Sequence, residues 1–201
     1  MTEPGNDERP PLVFTAEEDV LRQHYLRYWG QARDVMLLEG DASRPEVGRL
    51  LIIQFQPGPD VTIYATLGMS HSPMDGASAD HRVELFLPVT RPAESIYYHL
   101  TALALYPFEH RTLFASGQTV RGDESIIEGS VLTSVLLHSP DYLPPGFRIV
   151  EGTGYHVEPL WVIPISETER RYKTENGLAA LKRIWLEKAV ELGDLSRPPA
   201  V

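Results

Sequence analysis

The segment Leu67-Gly68-Met69-Ser70-His71-Ser72-Pro73-Met74-Asp75-Gly76, followed after four residues by His81-Arg82-Val83-Glu84-Leu85-Phe86-Leu87, decides how the chain is read. The second stretch carries the β-branched and aromatic residues of a strand, but alternates only in part, so one face is buried and the other partly covered. The first reads as a strand end running into a tight polar loop stiffened by Pro73. Further strands are expected at 47–55, 61–67, 131–137 and 160–165, with Pro57-Gly58-Pro59-Asp60 as a turn between two of them.

Helices flank these strands. One opens at Thr15 with Glu18 as a capping box, and sets Leu21, Tyr25, Tyr28 and Trp29 on one face. A second starts near Pro92, stripes Ile96, Leu100 and Leu103, and is expected to end at Pro107. A third opens at Ser166 with Glu169 as another capping box. It aligns Leu178, Leu181 and Trp185 after a kink or break at Gly177. Helix, strands, helix, strands, helix is not the alternation of a doubly wound parallel sheet. The expected fold class is therefore α+β, a largely antiparallel or mixed sheet flanked by helices. Residues 1–14, with Arg9-Pro10-Pro11, read as a disordered tail, 15–193 as a single domain and 194–201 as a second tail.

Composition excludes several functions. With 18 Lys+Arg against 28 Asp+Glu, the net charge of −10 argues against nucleic acid and anionic membrane surfaces as partners. Cysteine is absent, which removes disulfides, thiolate metal sites and cysteine nucleophiles. The acidic start does not resemble a secretory signal, and no apolar run approaches a membrane span, so a cytoplasmic protein is expected.

The catalytic candidates are weak. Ser70, His71 and Asp75 invite a hydrolase reading, but Gly68-Met69-Ser70-His71-Ser72 lacks the second glycine of a nucleophile elbow, and triad members are normally distant in sequence. His71, Asp75, Asp80 and His81 would need to converge across a loop to hold a metal, and no spacing of metal-binding type occurs. Gly152-Thr153-Gly154 reads as a hairpin turn. Glu167, Glu169 and Glu175 read as the solvated face of the last helix, and Tyr97, Tyr98, Tyr25, Tyr28 and Trp29 as core aromatics rather than ligand platforms. No cofactor or metal is expected.

Four motifs in order say more. LGMSHSPM (67–74), VELFLPV (83–89), RPAESIYYHLTALALYPFEHRTLFASGQTV (91–120) and IPISETERRYKTENGLAALKRIW (163–185) together resemble the suppressor of fused domain family, over about Thr15 to Leu192. The resemblance implies a domain without catalytic machinery that binds another protein. In animals such proteins restrain Gli-type transcription factors, gripping an extended peptide between two domains by strand addition. Bacterial single-domain relatives resemble immunity proteins that neutralise polymorphic toxins. This chain ends after the first domain and carries Pro73 where the animal proteins have an aromatic, so no Gli-contact residue carries over.

Two readings follow: an immunity protein whose acidity steers it to a basic toxin, and a regulatory or scaffold module that captures an extended peptide at a sheet edge. A hydrolase or metal site around Ser70, His71 and Asp75 is the remote third. Met69, His71, Ser72, Met74 and Asp75 are the candidate partner-facing residues, because the loop pairs an exposed-looking Met74 with polar groups in a rigid turn.

Overall fold

The computed structural model describes residues 12–39, 48–78, 80–152 and 154–201. The expected tail through residue 11 and the strand start at Val47 lie outside them. Four helices accompany eight strands among the described residues: α1 (Ala16–Trp29), β1 (Ala32–Glu39), β2 (Arg49–Gly58), β3 (Val61–Leu67), β4 (His81–Val89), α2 (Ser95–Glu109), β5 (Thr119–Arg121), β6 (Ser134–His138), β7 (Val150–Glu151), β8 (His156–Ile165), α3 (Glu167–Asn176) and α4 (Leu178–Glu187). The sheet runs β1-β2-β3-β4-β8-β6-β5, with β7 pairing β8. Every pair is antiparallel except β4–β8, so the sheet is mixed and the fold is α+β, as the order of elements predicts.

Alternation along the central strands assigns the faces. Val83, Leu85, Leu87 and Val89 of β4 join Leu160 and Val162 of β8 beneath α2, whose Ile96, Leu100 and Ala104 complete that core. Phe86 points the other way, toward Leu21, Tyr25 and Trp29 of α1. Tyr25 stacks on Trp29 at 4.9 Å, and Phe147 sits 5.0 Å from Trp29. A third cluster sets Leu181 and Trp185 of α4 against Leu136 of β6 and Ile163 and Ile165 of β8. Both capping boxes form: Thr15 with Glu18, and Ser166 with Glu169. Gly177, at φ +85°, breaks the last helix in two.

Three expectations are corrected. Pro107 does not end the second helix, which runs on to Glu109. A proline in the last turn forfeits one bond, and His110 N–H still closes onto the Tyr106 carbonyl. Glu169 is not on a solvated face but is fully buried. The C-terminal residues are not a loose tail, since Leu195, Arg197 and Ala200 are each only 4% exposed. One interaction explains both of the latter. The Arg197 guanidinium donates to both Glu169 oxygens, at 2.8 and 3.1 Å, while Trp185 Nε1 and the Ser166 N–H add bonds of 2.8 Å each. Burial pushes the Glu169 carboxyl up, but Arg197, Ser166 and Trp185 outweigh it and hold it below the usual range.

Candidate functional site

The loop after β3 is built around Glu84, a carboxylate with no exposed surface at the centre of β4. Its Oε1 accepts from the Gly68 N–H at 2.8 Å, the Ser70 N–H at 2.9 Å and the Ser70 hydroxyl at 2.7 Å, and its Oε2 from the Thr66 hydroxyl at 2.6 Å. A buried carboxylate is tolerable only when its lone pairs are filled in this way. Gly68 is required for two reasons. Its φ is +123°, and a Cβ there would lie 2.3 Å from the Arg49 carbonyl oxygen.

This geometry reassigns the candidate residues. Met69 and Met74 are 1% and 3% exposed and belong to the core beneath α2, so they are not partner-facing. Met74 looked exposed because it follows Ser72-Pro73. It turns inward instead, and its sulfur accepts the Phe114 N–H at 3.3 Å. His71 and Ser72 are half-buried, and Asp75 is exposed beside a groove of about 510 Å³ that Pro107 and Arg111 also line. Ser70 is 1% exposed and donates to Glu84, so no accessible nucleophile is assembled with His71 and Asp75. Among the described residues, no group of three or more His, Cys, Asp or Glu is arranged to hold a metal ion. His81 pairs with His156 across the β4–β8 ladder rather than with His71.

A second Ser–His–Asp grouping arises that sequence spacing does not reveal. Ser116 Oγ lies 3.1 Å from His138 Nδ1, while Lys182 Nζ and Asp141 Oδ2 lie 3.0 and 3.6 Å from His138 Nε2. Burial first, and then the Lys182 charge, hold His138 below its ordinary value, so the ring is neutral. With Lys182 donating to Nε2, the ring proton sits on Nδ1 and points at Ser116. That polarity cannot activate the serine.

The exposed strand edge at the end of the sheet is β1, a strand the sequence reading missed. It pairs with β2 from Asp34↔Gln54 to Glu39↔Arg49, with a bulge at Arg33, and its outer edge pairs with no strand among the described residues. Leu37 and Leu38 are 37% and 36% exposed, one on each face of the sheet. A groove of about 620 Å³ runs along this strand, lined by Leu12, Phe14, Arg22, Val35, Leu37 and Ile53. Arg22 is fixed over the Phe14 ring at 4.8 Å and by Asp19 at 2.7 Å. On the opposite face, Tyr97 of α2 donates to Asp34 at 2.7 Å. Burial, and then the Asp34 carboxylate, push that phenol's pKa up, so it stays a donor. No helix among the described residues is long and apolar enough to cross a membrane.

Comparison with known proteins bears on this architecture. A family model described as suppressor of fused protein matches residues 47–198. Among solved structures, a Neisseria gonorrhoeae protein described as a suppressor of fused homologue aligns with a TM-score of 0.73 at 17% identity, covering 92% of this chain and 97% of that one. A chain of the Sufu–Fu complex aligns at 0.67 and 12% identity, covering 91% and 90%. Drosophila Suppressor of Fused aligns at 0.65 and 13%, covering 91% of this chain and 50% of its own. None of the curated proteins matches the chain. The four sequence motifs, the mixed sheet and the family match agree: the chain belongs to the suppressor of fused family.

Proposed function

We propose that this chain is a non-enzymatic protein-binding domain that holds its partner by adding an extended segment of it to the outer edge of β1. The observation that carries the reading is an edge of eight residues that pairs with no strand among the described residues and lies beside an apolar groove. Unpaired N–H and C=O groups supply affinity for any extended chain. The Leu37 groove would select apolar side chains at alternate positions of that chain. The other sheet edge, β5, offers only three residues. The Sufu–Fu complex supports a protein partner, since a relative of the same fold is found there in complex.

The partner's class rests on charge. A net −10 favours a basic protein, and the family's bacterial members suggest a toxin neutralised in the cytoplasm. The test is co-expression with the product of an adjacent gene. Protection of the host and co-purification are expected with the wild-type chain and not with a Leu37→Asp, Leu38→Asp variant. A partner retained equally by that variant would remove β1 from the reading, and neither protection nor co-purification would remove the toxin.

A further inference from the structure

His81 and His156 open β4 and β8, the only parallel pair in the sheet among the described residues, and stand side by side in its register. His81 Nδ1 lies 3.2 Å from His156 Nε2, and both side chains are half-buried. Two imidazole nitrogens bound to one tetrahedral ion, at bonds of about 2.0–2.1 Å, stand about 3.3 Å apart. The pair already has that spacing. The other nitrogen of His81, Nε2, faces Glu158 Oε2 at 3.9 Å, and Glu158 is itself held by the Ser139 hydroxyl. That 3.9 Å separation is an ion-pair distance rather than a hydrogen bond; closing it on metal binding would give the arrangement that orients a metal-binding imidazole and fixes its tautomer. Asp80, next in the chain, is exposed and lies near enough to both rings for their charges to act on its carboxyl. Asp80 and Glu158 bring negative charge near the pair, against which stands Arg82, whose guanidinium donates to the His81 carbonyl at 3.0 Å.

We propose that His81 Nδ1 and His156 Nε2 form a two-histidine site for a divalent transition metal such as zinc, with Glu158 as the outer carboxylate and water completing the coordination. Imidazole suits zinc, copper and nickel, whereas magnesium and calcium prefer an all-oxygen set. Zinc entry requires the proton between the two facing nitrogens to move to the far nitrogen of its ring, on His81 the one that faces Glu158. The bound ion would cross-link the starts of two strands that are otherwise far apart in sequence.

The test is calorimetric titration of the full chain with zinc, paired with imidazole nitrogen NMR. One ion per chain is expected, with resonance changes confined to His81 and His156. His81→Gln and His156→Gln should each abolish uptake, Glu158→Gln should weaken it tenfold or more, and His110→Gln should leave it unchanged. Uptake that survives both histidine variants, changes at other histidines, or no uptake by the wild-type chain would each overturn the site. The NMR readout on the wild-type chain stands even where a variant folds poorly.

Discussion

Two stretches of this sheet treat their backbone polar groups in opposite ways. The loop from Gly68 to Asp75 donates its Gly68 and Ser70 amides to Glu84, which has no exposed surface, and its two methionines lie in the core. The outer edge of β1 leaves its amides and carbonyls without a strand partner among the described residues, beside a groove that contains Leu37. The first arrangement is internal accounting, in which a tight turn must satisfy its donors somewhere and a buried carboxylate does so. The second is an open valence. A memorable motif therefore reports here on folding, while the exposed edge carries no motif.

The locked half of that contrast predicts the largest effects. Glu84→Ala would strand two amides and two hydroxyls in the core, and a loss of roughly 4 kcal/mol or more is expected in urea unfolding. Gly68→Ala should be comparable, since its Cβ would meet backbone rather than a movable side chain. Near-wild-type stability in either variant would break the comparison at its root.

Arg197→Ala comes next, at about 3–5 kcal/mol, because it leaves the Glu169 carboxylate buried and unpaired. This contact also gives an acid dependence. The folded Glu169 titrates below its ordinary value of 4.5, so acidification protonates the unfolded chain first. Its contribution is complete above about that value and is lost as pH falls through the folded one. In the Arg197→Ala variant burial, which raises the carboxyl, is opposed only by Ser166 and Trp185, so the acid-side loss should flatten. Thermal unfolding of both proteins across this range checks the sign.

How much of this was legible in the sequence follows from the range of the signals. Capping boxes at Thr15 and Ser166 are four-residue patterns, and both formed as read. The four ordered motifs identified the family. Glu84 and Glu169 were harder, because the donors that mark each as buried include partners 14 to 28 residues away. A lone Glu in the apolar run VELFLPV was the available hint, since such a group needs donors nearby. Strand β1 was missed because Ala32-Arg33-Asp34-Val35-Met36-Leu37-Leu38-Glu39 has little β-branching, and its Met and Leu favour helix. Pairing with β2 overrides that local preference.

Within the loop itself the contrast sharpens between neighbours. Met74→Ala should cost about 2–5 kcal/mol, as truncation of a buried core residue that also accepts the Phe114 N–H. Asp75→Ala, one residue on and exposed, should change stability by no more than about 0.5 kcal/mol. Equal effects would mean the loop is uniformly loose rather than pinned from within.

A comparably small stability change per site belongs to the open half. Leu37→Asp with Leu38→Asp replaces side chains already more than a third exposed, on a strand whose inner edge keeps its ladder with β2. Two-state unfolding should shift by about 0.5 kcal/mol or less per site, in contrast to the residues around Glu84. Binding should respond in the opposite order, since new carboxylates at the groove meet any incoming apolar strand, and an acidic edge also resists pairing. If these substitutions instead unfolded the chain, β1 would be an integral part of the core. The distinction between a locked loop and an open edge would then disappear.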